Sequence, residues 1–245
     1  MTFEIKYLEK PDLNKPIAIA GLPGIGLIGK VAVEYLIEEL DAEKFLELGS
    51  DKFPGWAIRE NGLVRGLKVY FHHVNIDGFD RDIVLITADA QASSSEGQYE
   101  LSEKIIDILE DEGVDTVITM AAFLDSEGNK SPVVGAATNK ETAKKIEKNG
   151  VGLLNNGRIV GMNGLLVKLG TDKKMKGFCL LGTTKDRDKD PQASKEVLSK
   201  FSNIYKLDLD LSSFDEKVPD LPKFKPPKIK MPSVSGGESE TSYIR

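Results

Sequence analysis

The sequence is poor in residue types on which many enzymes depend. Its 245 residues include one cysteine, one tryptophan and two histidines. The single Cys179 excludes a disulfide within the chain, and its place in an apolar run predicts a buried strand residue. His72 and His73 are neighbours on a predicted strand, so their side chains point to opposite faces of the sheet. They cannot share one metal ion or act as one base, so we expect neither zinc chemistry nor a Ser-His-Asp triad.

Long apolar runs and an excess of positive charge are also missing. No apolar run approaches the roughly 20 residues that cross a bilayer. The first residues, MTFEIKYLEK, lack the apolar segment of a secretory signal. The formal net charge of -6 at pH 7 opposes binding to nucleic acid or to an anionic membrane. We therefore expect a cytoplasmic protein that has neither nucleic acid nor membrane as a partner.

Short apolar runs rich in β-branched residues recur along the chain. They lie at residues 17–20, 67–71, 83–87, 114–121, 133–136 and 178–181. Several are apolar at every position, which is typical of central strands covered on both faces. Segments with helical period lie between them. The alternation predicts an α/β fold, a three-layer α/β/α sandwich.

The ends of three helices are marked by capping residues. Ser95 with Gln98 has the spacing of a capping box, and Thr138 with Glu141 repeats that spacing before a lysine-rich segment. Asp190-Pro191 combines a preferred N-cap residue with a proline suited to the first helical turn. These signals predict helices that begin close to residues 95, 138 and 190.

A glycine-rich segment, Gly21 to Lys30, directly follows the first apolar run. Gly24, Gly26 and Gly29 have the spacing of a dinucleotide-binding loop, and Glu47 stands about where such folds place the acid that binds ribose. Residues 24–30 also resemble a P-loop, but Val31 replaces the Ser or Thr that would hold magnesium. The glycines are also explained, without a nucleotide, by close packing of a helix on a strand or by a contact between subunits.

Two further loops offer polar groups or flexible backbone. Asp89 and Glu96 follow a predicted strand and could form an acid/base or metal pair, or could serve the backbone of the loop and the next helix. The glycine-rich stretch 157–164 could form an anion-binding nest or a sharp connection between core elements. In both places the sequence favours the structural role, because no further catalytic groups accompany these residues.

The composition changes after residue 207. Residues 208–245 contain an acidic stretch, a Lys/Pro-rich stretch and a stretch rich in Ser, Gly and Glu. Such a segment buries too little apolar surface to offset the entropy of ordering it. We therefore divide the chain into an α/β domain at residues 1–207 and a disordered, flexible C-terminal tail at 208–245. Tyr243 and Ile244 return apolar bulk at the end of the tail, which favours a docking role.

Five blocks of sequence, in order, resemble the proteasome assembly chaperone family, in particular its archaeal homologues. The blocks are Gly21 to Lys30, Asn61 to Arg65, Asp89 to Gln91 with Glu96 to Leu101, Gly135 to Thr138, and Gly161 to Gly164. The resemblance covers about residues 3–204. It implies a phosphorylase/hydrolase-like three-layer fold and a homo-oligomer without enzyme activity. It also implies that the partner is the α-ring of the proteasome core particle.

The resemblance further implies that the C-terminal tail makes the contact. Activators of this type end in a hydrophobic residue, a tyrosine and any residue. Here the tyrosine stands one position earlier, as Tyr243, followed by Ile244 and Arg245. These three residues are the predicted partner-binding residues, and the carboxylate of Arg245 is expected to pair with a lysine of the partner.

The function expected from the sequence is therefore a proteasome assembly chaperone or ATP-independent activator. It is expected to have no catalytic, cofactor or metal site. Two alternatives stay open at this point. One is a nucleotide- or phosphometabolite-binding enzyme that uses Gly24 to Lys30, and the other is a general adaptor that binds unfolded proteins through apolar patches.

Overall fold

The structure is a computed structural model that describes residues 2–126, 128, 130–217 and 243–244. The strands are β1 Phe3–Tyr7, β2 Ile17–Ala20, β3 Glu43–Ser50, β4 Ile58–Glu60, β5 Leu63–Arg65, β6 Lys68–Val74, β7 Ile83–Ala88, β8 Thr116–Leu124, β9 Val133–Ala137, β10 Gly152–Leu153, β11 Arg158–Ile159, β12 Lys176–Thr184 and β13 Tyr243–Ile244. The helices are α1 Ile28–Glu39, α2 Ser95–Asp111, α3 Lys140–Lys148, α4 Met162–Asp172, α5 Pro191–Tyr205 and α6 Phe214–Lys217.

Nine of these strands form one mixed sheet, in the order β1-β3-β6-β7-β2-β8-β12-β9-β10. Strands β7, β2, β8 and β12 are parallel neighbours at its centre. Antiparallel pairs extend the sheet on both sides, from β7 through β6 and β3 to β1, and from β12 to β9. The central strands β2 and β7 are buried at every position, as expected for strands covered on both faces.

Both faces of the sheet carry helices. Along β2, Ile17 and Ile19 join a buried apolar cluster with α1 and α5, whereas Ala18 and Ala20 join a second cluster with α2 and α4. This division follows from the two-residue period of a strand, which sends alternate side chains to opposite faces. The predicted three-layer α/β/α sandwich is therefore confirmed. In the described part of the chain no helix combines the length and hydropathy that a membrane span requires.

Two of the predicted helix starts are one residue away from the observed N-caps. Helix α2 is capped by Ser94, whose hydroxyl accepts a hydrogen bond from the amide of Gly97, and not by Ser95. Helix α3 is capped by Asn139, because the hydroxyl of Thr138 already accepts a hydrogen bond from the Gly177 amide. The third prediction is confirmed: Asp190 caps α5, and Pro191 occupies its first turn.

The first residues of the predicted tail belong to the folded body. Phe214 in α6 is fully buried, and its ring lies 4.8 Å from that of Tyr35 in α1. The hydroxyl of Tyr35 donates a 2.6 Å hydrogen bond to the carbonyl oxygen of Asp210. The predicted boundary at 207/208 is thus wrong for residues 208–217, because an aromatic side chain in a mostly polar stretch completes the α1 face of the core. The predicted disorder of residues 218–242 and of Arg245 lies outside the described residues.

Candidate functional site

Three loops meet at the carboxyl edge of the sheet centre. Strands β2 and β7 are parallel, so the loops that follow them, residues 21–27 and 89–94, leave the sheet on the same side. Residues 160–163, which lead into α4, complete the group. We call these three segments the three-loop junction. It is the edge at which α/β proteins usually bind ligands, and it contains residues from three of the five sequence blocks.

Gln91 links the three loops. Its side-chain nitrogen donates a 2.6 Å hydrogen bond to the carbonyl oxygen of Pro23, and its side-chain oxygen accepts a 2.8 Å bond from the amide of Met162. The second bond satisfies one of the free N–H groups at the start of α4. Gly161 has φ of 94°, and a Cβ atom there would lie 2.8 Å from the Gln91 oxygen. Glycine is therefore required next to this side chain.

Asn163 makes a second link from within the core. It is 1 % exposed, and its side-chain oxygen accepts a 3.4 Å hydrogen bond from the amide of Leu22. Its side-chain nitrogen has no hydrogen-bond partner among the described residues. The sequence leaves two roles open for the glycine-rich stretch 157–164, an anion-binding nest and a sharp connection between core elements. The close packing of Gly164 on Ile159 supports the connection, since a Cβ atom there would lie 2.7 Å from the Ile159 carbonyl oxygen.

The glycines of the first loop allow α1 to pack directly on the sheet. A Cβ atom on Gly29 would lie 1.9 Å from the carbonyl oxygen of Met120 in β8. A Cβ atom on Gly21 would lie 2.0 Å from the carbonyl oxygen of Gly29. Gly26 has φ of 61°, a conformation that glycine adopts at low cost. Helix packing therefore accounts for glycines that also fit a nucleotide-binding spacing.

Lys30, the cation of the P-loop-like segment, binds other groups of the protein. The Lys30 ammonium forms an ion pair with Glu34 and donates a 2.9 Å hydrogen bond to the carbonyl oxygen of Ala88. Val31 is fully buried, so the position that carries the magnesium-binding hydroxyl in a P-loop is part of the core here. Neither residue is available to a phosphate, which argues against the enzyme alternative built on Gly24 to Lys30.

The carboxylate of Asp89 is also bound to neighbouring groups of the protein. Its carboxylate accepts hydrogen bonds of 2.7 and 3.2 Å from the two terminal nitrogens of Arg65, one of 3.0 Å from the Tyr70 hydroxyl and one of 2.9 Å from the Lys68 amide. The hydrogen bond to Asp89 raises the pKa of Arg65, and burial raises the pKa of Tyr70 above its usual range. Glu96, the second member of the predicted pair, is exposed in the first turn of α2. The geometry therefore supports a structural role for Asp89.

Glu47 is not placed as a ribose-binding acid. It lies in the middle of β3 and not at its end, and it forms ion pairs with Lys44 at 2.7 Å and with Lys68 at 2.5 Å. Burial alone would raise the pKa of Glu47, but the hydrogen bonds from Lys44 and Lys68 lower it to about 2. The prediction failed because β3 continues past Glu47 along its antiparallel partner β6.

The β4–β5 hairpin exposes apolar side chains. Asn61 and Gly62 form its two-residue loop with φ of 51° and 80°, the backbone of a type I′ turn. Leu63 and Val64 are each 75 % exposed. The bidentate contact of Arg65 with Asp89 attaches the hairpin to the sheet. The Asn-Gly pair between β-branched and apolar residues was a local signal for this hairpin, whereas the exposure of its side chains could not be read from the sequence.

The predicted partner-binding residues lie far along the chain from these loops. The backbone of Tyr243 and Ile244 forms β13, which pairs in parallel with Arg158 and Ile159 of β11. Arg245 lies outside the described residues. The C-terminal pair is therefore next to the segment that leads into the three-loop junction.

Cys179 and the two histidines occupy the environments that the sequence predicts. Cys179 is buried in β12, and burial raises the pKa of its thiol to about 11, so the unreactive protonated form prevails at neutral pH. His72 is partly buried in β6, and burial lowers its pKa to about 4. His73 points to the other face of the sheet and contacts Glu9 instead.

Comparison with known proteins identifies the fold and the family. The model of the PAC2 family matches residues 18–220. An uncharacterized protein of Methanocaldococcus jannaschii is 30% identical over 227 residues, which are 91% of this chain and 86% of that protein.

Two solved structures from Pyrococcus furiosus are also similar. PbaB, described as an archaeal proteasome activator, has a TM-score of 0.81 and 34% identity, over 88% of this chain and 94% of that one. PbaA, described as an archaeal homolog of proteasome-assembly chaperone, has a TM-score of 0.71 and 25% identity, over 86% of both chains. The matched segment includes all five sequence blocks and the whole three-loop junction. The chain therefore belongs to the PAC2 family, the proteasome assembly chaperone family.

Proposed function

We propose that this protein is a cytoplasmic, non-enzymatic homo-oligomer that binds the α-ring of the proteasome core particle. In this proposal Tyr243, Ile244 and Arg245 make the contact, and binding assists α-ring assembly or opens the gate without ATP. The single observation that carries the proposal is the similarity to the P. furiosus activator PbaB, which extends over 88% of this chain. The similarity to PbaA supports the assembly role.

The geometry of the three-loop junction supports a binding role over a catalytic one. Of the polar groups that the sequence offers for chemistry, Lys30, Glu47 and Asp89 are each bound to other parts of the chain. A general acid, base or nucleophile needs an atom that can reach a substrate. The same contacts provide a rigid body from which a tail can act.

The length of the tail lets its end reach the partner, and the presence of several tails on one oligomer increases the affinity. Residues 218–242 separate the folded body from the predicted contact residues. A segment that becomes ordered on docking binds weakly by itself, because part of the contact energy offsets the lost entropy. Several tails on one oligomer gain affinity through the high effective concentration of the second and later tails. Docking also requires that Tyr243 and Ile244 leave β11, with which they pair in the structure.

We assign the β4–β5 hairpin to the contact between copies. Its two strands form a separate two-stranded sheet, so the outer edges of both strands are unpaired within the described residues. Exposed edges and apolar side chains both favour addition of further strands. A second copy offers the same edges and the same Leu63 and Val64 across a twofold axis, and it also offers Arg59 and Glu60 as charges of opposite sign.

Deletion of residues 238–245 tests the tail. The shortened chain should lose binding to isolated core particles in a pull-down, while its melting temperature and its mass in solution stay those of the full chain. A matched control deletes residues 228–235, which shortens the tail equally but keeps its end. If the 238–245 deletion binds as well as the full chain, a surface of the body makes the contact and the docking proposal is wrong.

A further inference from the structure

Three side chains with metal-binding atoms converge at the edge of the sheet, away from the three-loop junction. They are Glu9, just after β1, Glu43, the first residue of β3, and His73 in β6. The two carboxylate oxygens and the imidazole nitrogen all lie within 4.8 Å of one another. Glu43 and His73 lie in two different strands and Glu9 directly follows a third, so the group exists only when β1, β3 and β6 are assembled.

Strand pairing explains why the three side chains share one face. Glu43 and His73 are directly opposed in the antiparallel pair of β3 and β6, and opposed residues project from the same face. The amide of Leu8 donates a 2.8 Å hydrogen bond to the carbonyl oxygen of Phe45, which holds the end of β1 beside β3 and brings Glu9 to the group. The edge contact between the rings of Phe45 and His73, with centroids 5.7 Å apart, fixes the imidazole.

The group combines two carboxylates with one imidazole. The His73 Nε2 atom lies 2.7 Å from a Glu9 oxygen. Glu43 has no ion pair or hydrogen bond from its carboxylate within the part of the chain that the structure describes. Its neighbour in sequence, Lys44, pairs with Glu47. Within the described residues neither Glu9 nor Glu43 pairs with a lysine or an arginine, and a divalent cation bound between them would neutralise both carboxylates.

We propose that Glu9, Glu43 and His73 bind a divalent transition-metal ion of the Zn²⁺ class. One imidazole nitrogen and two carboxylate oxygens are a donor set that Zn²⁺ accepts, with water completing its coordination. The ion takes the place of the hydrogen bond between Glu9 and His73. Because its ligands lie in β3, in β6 and in the segment directly after β1, it ties the end of the edge strand β1 to β3 and β6. The site is independent of the tail and of the proposed proteasome contact.

This site also explains what the sequence alone could not show. His72 and His73 do not share a metal, as the two-residue period of a strand predicts. His73 instead meets two glutamates that are separated from it by long stretches of chain. The order β1-β3-β6 in the sheet creates the neighbourhood, and no sequence spacing encodes it.

Calorimetric titration of the full chain with ZnCl₂ tests the proposal, after treatment with EDTA and without a histidine tag. The wild type should bind a single Zn²⁺ per chain, and Zn²⁺ should raise its melting temperature. Glu43→Gln and His73→Gln should each weaken binding by about tenfold or more and lose the thermal shift. Glu96→Gln, another exposed glutamate, is the matched control and should behave as the wild type.

Each other outcome overturns the proposal. Absence of binding to the wild type at millimolar ZnCl₂ shows that the group is an ordinary ion pair. Equal binding by the wild type, Glu43→Gln and His73→Gln places the ion elsewhere on the chain. Equal affinity for Mg²⁺ contradicts the assignment to the Zn²⁺ class, because Mg²⁺ prefers an all-oxygen set. The melting temperature of Glu43→Gln without metal is expected to equal that of the wild type, because Glu43 is exposed, and its measurement shows whether the substitution leaves the fold intact.

Discussion

The three-loop junction and the β4–β5 hairpin differ in which kind of side chain they expose. At the junction, polar side chains such as Gln91 and Asn163 turn inward and bind backbone groups of neighbouring loops. On the hairpin, the apolar side chains of Leu63 and Val64 turn outward. The segment whose sequence most resembles an active site therefore serves packing, whereas the short hairpin exposes its apolar side chains. Arg65, through Asp89, connects the hairpin to the loop of the junction.

The largest effect is expected at Gly29, where the junction meets the sheet. Gly29→Ala places a Cβ atom 1.9 Å from the Met120 carbonyl oxygen, so α1 has to move away from β8. The loss of unfolding free energy should be about 3 kcal/mol, measured by urea denaturation. Gly55→Ala is the control, because a Cβ atom there meets nothing within 4 Å. A stable Gly29→Ala variant that instead lost affinity for nucleotides would return the loop to a ligand-binding role.

A smaller loss of stability is expected at Gln91. Gln91→Ala removes both hydrogen bonds that link the loops and leaves the Pro23 carbonyl oxygen and the Met162 amide without this partner. At about 1 kcal/mol for each hydrogen bond, the unfolding free energy should fall by about 2 kcal/mol. Gln192→Ala on the exposed side of α5 should change it by less than about 0.5 kcal/mol. If both variants lost the same amount, the proposed bridge would contribute nothing.

Loss of the Arg65–Asp89 pair, which connects the two regions, should change the stability of the body less than the dynamics of the hairpin. Arg65→Met removes the cation of the bidentate pair and leaves the mostly buried Asp89 carboxylate with Tyr70 and the Lys68 amide. The unfolding free energy should fall by about 1.5 kcal/mol, a typical value for a hydrogen-bonded charged group. Amide hydrogen exchange in residues 58–65 should accelerate, while exchange in β7 stays slow. Unchanged exchange in the hairpin would show that its attachment does not depend on Arg65.

The smallest effect on stability, with the clearest effect on association, is expected at the hairpin tip. The double variant Leu63→Asp and Val64→Asp should change the unfolding free energy by less than about 0.5 kcal/mol, since both side chains are largely exposed. Its mass in solution should fall below that of the wild type, as measured by light scattering. The variant Leu63→Asn and Val64→Thr leaves the net charge of the chain unchanged and separates loss of apolar contact from charge repulsion. An unchanged mass would remove the hairpin from the contact between copies.

Local sequence patterns predicted the layers of the fold but not how the loops are used. The apolar run at residues 17–20 and the Asp190-Pro191 start of α5 are patterns of residues close in sequence, and the structure confirms the buried strand and the helix start that they predict. The cap of α2 shifted to Ser94 among three adjacent serines, where tertiary contacts decide the choice. The amide of Ser93 donates a hydrogen bond to the carbonyl oxygen of Lys52, which holds Ser93 outside the helix, and the helix begins after Ser94.

The amino-acid sequence by itself determined the sandwich, the main helices and membership of the PAC2 family, because periodicity, caps and ordered motif blocks are properties of nearby residues. Only the tertiary structure decided that Gly29 packs against Met120, that Phe214 closes the core against Tyr35, and that Glu9, Glu43 and His73 meet. In each case the partners are far apart in sequence. Which of them meet depends on the order and direction of the strands in the sheet, and no local stretch of the chain contains that information.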